Sequence, residues 1–281
     1  MQSMMPLYLY IAKRNKVPIR IAHAHNSNYE KTFKGIVLHF FSRLVKFFST
    51  NNFACSKNAG KYLFGNHHFE VIYNGVDIEK FKYDEKVRNK KRKELQLNNK
   101  FTILHIGRFE LQKNHRFLIE VFENYTKENE NSILLLLGEG KMETEIRKLV
   151  EEKKLENKIR FLGIRKDVNE IMQAADCFVL PSLYEGFPVV GVEAQIAGLP
   201  CIFSNRITKE VKILSNSYFL EINKKNIKDW SQLLSSNIER LNINYEDVKR
   251  VDIENIAKTI CERYYEEYRK RSIPISYNSG L

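Results

Sequence analysis

Two glutamates eight residues apart, Glu185 and Glu193, flank the start of a predicted helix. Glu185 lies in the segment Leu180–Pro188, which follows an apolar strand, and Pro188 suits the first position of the next helix. Backbone amides at a helix start attract anionic and oxygen-rich groups, and a carboxylate can accept hydroxyls from a sugar or a ribose. A capping or solvent-facing glutamate pair would have the same spacing. The strand, the Glu-Gly-Phe-Pro loop and the helix together favour a ligand site.

The elements that must position these residues alternate between strand and helix. Nine short apolar runs predict strands, several of them continuous enough for parallel strands covered on both faces: Ile19–Ala22, Asn52–Cys55, Glu70–Tyr73, Phe101–Ile106, Ser132–Leu137, Ile159–Leu162, Cys177–Leu180, Pro200–Phe203 and Tyr218–Glu221. Helical stretches lie between them, among them Arg116–Lys127, Met142–Glu152, Asp167–Ala175 and Val189–Ala197. This alternation predicts an α/β protein with doubly wound parallel sheets.

The predicted strands divide unevenly along the chain. Six of them follow Lys100 and make one complete Rossmann-like domain, whereas only three precede Asn74. We therefore predict a partial domain over residues 1–75, a donor domain over 76–251, and a helix with a tail over 252–281 that packs back on the N-terminal part. The partial domain would expose an apolar sheet edge. A lost N-terminal portion, a separate N-terminal half or an oligomer partner would explain this edge.

The composition limits the classes of partner. The formal net charge of the 281-residue chain is +12, which favours anionic partners. The densest basic run, Lys86–Lys93, has no nucleic-acid-binding motif beside it, so we predict a solvated helix face and no nucleic-acid partner. Met4–Ala12 is predicted to be a helix rather than a signal peptide. The amphipathic stretch Ile253–Arg271 predicts a terminal helix, and the residues from Ile273 on predict a frayed end.

Other common chemistries are disfavoured by the sequence. The scattered cysteines, Cys55, Cys177, Cys201 and Cys261, argue against a disulfide framework or a zinc site and fit a reducing cytosol. No metal set is predicted around His67-His68 or His115. Gly138-x-Gly140 lacks the third glycine of the dinucleotide fingerprint, and neither a P-loop nor a G-x-S-x-G elbow is present.

The Glu185–Glu193 cluster resembles the E-x7-E signature of retaining glycosyltransferase family 4, which has the GT-B architecture of two Rossmann-like domains facing each other across a cleft. The resemblance spans about residues 5 to 235 and is best to members that build bacterial capsule and exopolysaccharide repeats. It recurs in chain order at Ile21–Ser27, Ile72–Asp77 with Phe81, His105–Phe109 with Gln112–Asn114, Leu137–Gly140, Phe161–Gly163 and Ala175–Asp176. The glycine-rich loop after the family's first strand has no counterpart, so the resemblance implies an incomplete N-terminal domain.

The resemblance implies a phosphate-binding role for the basic residues. Arg108 and Lys113 would neutralise the donor diphosphate and stabilise it as the leaving group, so that no metal or cofactor is expected. An Arg or Lys after a strand is usually a solvated surface residue. Gly107, which lets the backbone approach a ligand closely, favours the functional interpretation.

The resemblance also assigns the residues around the sugar and the base. Glu193 would hold the ribose hydroxyls, and Arg165 would lie by the base. His25 would contact the donor sugar near the reacting centre, with His23 as a rival for that role. The donor sugar would be held by Glu185 and by the backbone of the loop formed by Gly186, Phe187 and Pro188, of which Pro188 has no N–H to donate.

Together these features predict a retaining, metal-independent hexosyltransferase with a nucleotide sugar, expected to be a UDP-sugar, as donor. The expected acceptor is a lipid-linked saccharide of surface polysaccharide synthesis at the cytoplasmic face of a bacterial membrane. A cationic chain would associate with that anionic face peripherally. The alternative is a truncated, inactive or partner-dependent nucleotide-sugar-binding module, and a third hypothesis is another GT-B enzyme such as a sugar-nucleotide epimerase.

Overall fold

The protein is described from a computed structural model over residues 4–27, 33–236 and 238–271. The tail predicted from Ile273 on lies outside these residues. Contacts divide the chain into two units, one of residues up to Gly75 with those from Ile253 on, and one of Val76–Asp252. None of the described helices is both long and apolar enough to cross a membrane.

The strands of the described residues lie within two residues of their predicted limits. They are β1 Ile21–Ala24, β2 Asn51–Ala54, β3 Glu70–Val71, β4 Phe101–Ile106, β5 Ser132–Leu137, β6 Ile159–Gly163, β7 Cys177–Leu180, β8 Cys201–Ser204 and β9 Ser217–Leu220. The helices are α1 Met5–Arg14, α2 Phe33–Ser42, α3 Lys57–Phe64, α4 Ile78–Phe81, α5 Glu85–Glu94, α6 His115–Thr126, α7 Glu143–Glu152, α8 Val168–Ala174, α9 Val189–Ile196, α10 Ile227–Ser235, α11 Tyr245–Val248 and α12 Ile253–Arg271. The predicted α/β alternation is confirmed.

The unit Val76–Asp252 contains a six-stranded parallel sheet in the order β6-β5-β4-β7-β8-β9. The chain moves outward from β4 to β6, returns to the centre at β7, and moves outward again, which is the doubly wound arrangement. All six residues of β5 are buried, as expected for a parallel strand covered by helices on both faces. Apolar side chains such as Phe117, Leu134, Leu136 and Trp230 form the core of this unit.

The other unit contains a three-stranded parallel sheet in the order β1-β2-β3. Within the described residues β1 pairs with β2 alone, so it is an edge strand. The helix α12 belongs to this unit, because Arg263 Nε lies 2.8 Å from Glu70 Oε1 and Tyr264 stacks on Phe53.

The basic run Lys86–Lys93 does not form the solvated face predicted for it. It lies in α5, which packs against α8, and Lys91 is only 4% exposed. The Lys91 ammonium binds three carboxylates at 2.7–2.8 Å, those of Glu94, Asp167 and Glu170. Arg88 and Arg92 pair with Asp176 on the adjoining loop. The prediction was wrong for these three cations because the carboxylates that pair with them are mostly distant in sequence.

Candidate functional site

The candidate site is formed by two loops at the carboxyl ends of β4 and β7. These strands pair directly with each other, at the place where the strand order reverses. In open α/β sheets, ligands bind in the crevice outside the carboxyl ends of the strands at such a reversal. The loops cover residues 107–114 and 181–188 and carry seven of the ten residues predicted to act in catalysis or donor binding.

Three hydrogen bonds to backbone carbonyls tie the two loops together. The backbone N–H of Leu183 donates to the Gln112 carbonyl at 2.8 Å, and the Gln112 side-chain amide donates to the Tyr184 carbonyl at 2.9 Å. Asn114 Nδ2 donates to the Pro181 carbonyl at 3.2 Å. Gln112 and Asn114 were quoted for the family resemblance but were not predicted to belong to the site. Their role depends on a loop about 70 residues away, which local sequence does not reveal.

A nearly buried ion pair stands where the loops meet. Lys113 Nζ lies 2.5 Å from Glu185 Oε1, with side-chain exposures of 16% and 10%. Gln112 Nε2 donates to the other carboxylate oxygen, Glu185 Oε2, at 3.2 Å. A pair so far removed from water requires good geometry and additional hydrogen bonds to offset its desolvation. The structure therefore brings together two predicted site residues, a carboxylate that can accept hydroxyls and a cation that can bind an anion.

Glycines leave the space that the Lys113 side chain and the neighbouring loops occupy. A Cβ on Gly107 would lie 2.9 Å from Lys113 Cδ, so the lysine stem passes directly against this position. Gly138, with φ +132°, would place a Cβ 2.2 Å from the Gly107 carbonyl oxygen. Gly140 similarly abuts the backbone of Phe109. The Gly138-x-Gly140 pair, which lies in a segment quoted for the family resemblance and is only a fragment of the dinucleotide motif, thus permits close approach between two loops.

The Arg108 side chain is placed differently from Lys113. It is 71% exposed, and its guanidinium forms an ion pair with Glu110 at 3.1 Å. Exposed ion pairs contribute little, so the guanidinium is free to exchange this partner for a ligand. The structure therefore shows Lys113 held in place and Arg108 projecting into solvent.

The helix α9 begins at the end of the second loop. Pro188 is its N-cap rather than its first helical residue, because the backbone of Pro188 is extended, and this corrects the prediction. Gly186 and Phe187 are buried beside it. Glu193 lies in the second turn, and its carboxylate makes no hydrogen bond or ion pair with any described residue. Burial raises the pKa of Glu193, and the nearby Lys80 partly offsets this. An unpaired, half-buried carboxylate is suited to accepting hydroxyl groups.

Arg165 is engaged in an ion-pair cluster. Its guanidinium donates to both oxygens of Asp167, at 2.8 and 2.7 Å, and Lys91 binds the same carboxylate. These bonds lower the pKa of Asp167 well below its usual range, with Arg165 as the main cause. A role for Arg165 beside a nucleotide base stays a prediction.

The two histidines of β1 lie in the other unit. His25 follows the strand and is exposed, whereas His23 is half-buried, with the two rings 5.7 Å apart. Burial, helped by the nearby His25, lowers the pKa of His23 to about 4. His25 thus belongs to one unit, while Glu185, Arg108 and Lys113 belong to the other.

A buried aromatic stack supports the loop after β4. His105 Nδ1 lies 2.8 Å from the Val179 carbonyl oxygen, and its ring meets the His115 ring edge-on at 4.6 Å. The His115 ring stacks on Phe109 at 4.2 Å, and Phe109 stacks on Phe161 at 5.7 Å. Burial, with a smaller contribution from Lys113, lowers the pKa of His115 to about 4. The stack holds neutral imidazole rings beneath the cationic loop, an arrangement not predicted from the sequence.

Comparisons with known proteins agree with this architecture. A family profile described as glycosyl transferases group 1 matches residues 87–249. The chain is similar to the putative glycosyltransferase EpsF of Bacillus subtilis (strain 168), at 35% identity over 204 residues, which are 69% of this chain and 53% of that protein. It is also similar to the UDP-Gal:alpha-D-GlcNAc-diphosphoundecaprenol alpha-1,3-galactosyltransferase of Escherichia coli, at 37% identity over 139 residues, 48% of this chain and 36% of that protein. The chain spans about half the length of the first relative and less of the second.

Solved structures show the same fold. The chain resembles Anabaena Alr3699/HepE in complex with UDP-glucose with a TM-score of 0.81 and 21% identity, over 95% of this chain and 77% of that chain. It resembles the sucrose-phosphate synthase (tll1590) of Thermosynechococcus elongatus with a TM-score of 0.75 and 17% identity, over 94% of this chain and 72% of that chain. These likenesses confirm the predicted GT-B fold class.

Proposed function

The chain belongs to the group 1 glycosyl transferases, and on that basis we propose that it transfers a hexosyl group from a nucleotide sugar, with retention of configuration, to a lipid-linked saccharide. The observation that carries this proposal is the Lys113–Glu185 pair at the strand-order reversal, 2.5 Å apart and nearly buried. It supplies a fixed cation for a phosphate and a fixed carboxylate for sugar hydroxyls, side by side.

The donor diphosphate would bind at the loop after β4. Lys113 is held by Glu185, and Arg108, which is 71% exposed, can swing from Glu110 onto a phosphate. Two cations at the leaving group stabilise the charge that develops as the glycosidic bond breaks, which is the role a metal ion has in other transferases. We therefore propose metal-independent transfer. Gly107 lets the diphosphate lie close to the backbone.

The ribose and the donor sugar would bind at α9 and the loop before it. The Glu193 carboxylate has no partner among the described residues and can accept the ribose hydroxyls. Glu185 and the loop of Gly186 and Phe187, which ends at the N-cap Pro188, would contact the sugar. We propose UDP-sugar as the donor, because a neighbouring fold is described in complex with UDP-glucose and one relative is named for UDP-Gal. Arg165 would have to release Asp167 to reach the base.

Retention is proposed to proceed by attack on the face from which the diphosphate departs. The bond from C1 to the diphosphate oxygen breaks, the acceptor hydroxyl oxygen bonds to C1, and its proton passes to the departing diphosphate. His25 would contact the donor sugar during this step. The acceptor class follows from a relative named for diphosphoundecaprenol-linked substrates. With such an acceptor, we propose that the reaction takes place at the cytoplasmic membrane face, in surface polysaccharide synthesis.

Thermal-shift titration tests the donor site directly. UDP-, GDP- and ADP-sugars are titrated against the wild-type chain and against Glu193→Gln, which keeps the size of the side chain and removes its charge. A ligand at a hundred times its Kd should add roughly 2.7 kcal/mol to the free energy of unfolding. We expect a shift with a UDP-sugar in the wild type and a much smaller one in the variant. No shift with any donor in a folded protein would contradict the donor site.

A second candidate function is donor binding without transfer by this chain alone. It is motivated by the three-stranded sheet, in which β1 is an edge strand within the described residues. A separate N-terminal half would then have to supply the acceptor side. Release of UDP with a retained anomer by the purified chain and a lipid-linked acceptor would rule out this candidate. Analysis of the sugar products formed without acceptor would distinguish both candidate functions from that of an epimerase.

A further inference from the structure

The helix α2 carries an apolar stripe that faces solvent. Phe33, Ile36, Val37 and Phe40 recur at helical spacing, so they lie on one face of the helix. Their exposures are 85%, 51%, 51% and 75%. Single exposed apolar residues are ordinary, but a contiguous aromatic and aliphatic stripe marks an interaction surface.

The neighbouring helix α1 has a similar stripe. Met4, Leu7, Tyr8 and Ile11 have the same spacing and are 40–64% exposed. The two helices touch, and both pack on the short 3-10 segment Arg43–Phe47, whose last residue is itself 57% exposed. The two stripes and Phe47 are called the apolar face below.

The part of the chain that carries the apolar face has a strongly one-sided charge. The first 69 residues contain one acidic residue, Glu30, and ten basic ones, so nine units of the chain's net charge of +12 lie in its first quarter. The exposed cations Lys13, Arg14 and Lys16 follow the α1 stripe directly. Lys46 lies 5.1 Å from the centre of the Phe47 ring.

We propose that the apolar face binds an anionic lipid bilayer, with the Phe and Ile side chains in the interface and the basic residues against the headgroups. Apolar insertion combined with electrostatic attraction is how peripheral helices bind membranes. Nucleic acid would leave the aromatic stripe unused, and a neutral protein partner would leave the charge unmatched. His25 directly follows β1, and α2 is the next described helix along the chain. Binding to a bilayer would also bring the protein to a lipid-linked acceptor, and this part of the inference rests on the proposed function.

Vesicle co-sedimentation of the full chain tests the surface. The probes are phosphatidylcholine vesicles and vesicles in which about a third of the lipid is phosphatidylglycerol. We expect binding to the anionic vesicles only, and at least about tenfold weaker binding by the double variant Phe33→Ser/Phe40→Ser. Ile164→Ser is the matched control, because Ile164 is 70% exposed and lies in the other unit. Lys13→Glu/Arg14→Glu should weaken binding by a similar factor and should reduce its salt dependence.

Three outcomes would overturn the proposal. One is equal binding by the wild type and the Phe33/Phe40 double variant, and another is equal binding to both kinds of vesicle. The third is a concentration-dependent oligomer by light scattering, without vesicle binding, which the double variant abolishes, because the face would then be a protein interface. Unchanged thermal unfolding of the variant shows that it remains folded. Vesicle binding is measured without nucleotide sugar and the donor shift without lipid, so either proposal can fail alone.

Discussion

Replacing Lys113 by methionine removes the cation from the Glu185 pair and retains a side chain of similar length. Glu185 then keeps the Gln112 amide at 3.2 Å as a neutral donor, in a place where only 10% of its side chain is exposed. Losing one partner of a fully buried pair costs about 3–5 kcal/mol. Because the Lys113 side chain is still 16% exposed, we expect a smaller cost, about 2–3 kcal/mol of unfolding free energy.

Urea unfolding followed by tryptophan fluorescence measures this cost in the structural unit that contains Lys113 and Glu185. Trp230 is the chain's only tryptophan, and it is fully buried in the core of the unit Val76–Asp252. The double variant Lys113→Met/Glu185→Gln should recover most of the lost stability, since it removes both charges of the pair. It should not recover the thermal shift with a UDP-sugar, because both ligand-binding groups are gone. A loss below about 0.5 kcal/mol in Lys113→Met would refute the reasoning, since it would show that water screens the pair.

Three further predictions concern the loops and the buried stack. Burial lowers the pKa of His115 from 6.5 to about 4, so between these values the unfolded chain takes up a proton that the folded chain does not. The free energy of unfolding should therefore fall as the pH is lowered through this window, by at most about 3 kcal/mol from this group, and His115→Phe should flatten the slope in urea titrations at several pH values. Gly107→Ala should displace the flexible Lys113 stem, costing under about 1 kcal/mol of stability but weakening donor binding in the thermal-shift assay; unchanged binding would contradict the packing described. Gly138→Ala should cost more than about 3 kcal/mol in urea unfolding, because its Cβ would meet a backbone oxygen at 2.2 Å. Gly163→Ala, also at positive φ but with no heavy atom within 4 Å, is its control and should cost about 1 kcal/mol.

The family resemblance indicated candidate site residues but not how each side chain is held. The sequence marked Arg108 and Lys113 as equivalent phosphate ligands. In the structure Lys113 is locked against Glu185, while Arg108 is 71% exposed. Which of two neighbouring cations is held depends on what the loop after β7 presents to each. That loop is about 70 residues away along the chain, so local sequence carries no information about the contact.

The basic run of α5 is a second case in which local sequence could not predict the state of charged side chains. Eight residues rich in Lys and Arg predict a solvated helix, because charged side chains are rarely buried. Lys91 is nevertheless 4% exposed, since two of its three carboxylate partners lie at the start of α8, about 75 residues further on. Burial of a charge depends on its partners, and those partners are tertiary neighbours.

The sequence by itself determined the strands, most of the helices and the fold class. Apolar runs of strand length and stripes of helical spacing are local patterns, and burial of those faces leaves an alternating chain little choice but a parallel sheet covered by helices. It also determined which glutamates and basic residues stand at the carboxyl ends of strands. Only the tertiary structure decided that β4 and β7 are neighbours, that Gln112 and Asn114 tie their loops together and that Lys113 meets Glu185. It also decided that the Glu193 carboxylate has no hydrogen-bond or ion-pair partner among the described residues. These outcomes depend on which distant segments come within hydrogen-bonding distance of each other. The order of the strands in the sheet determines those contacts, and the local sequence pattern does not.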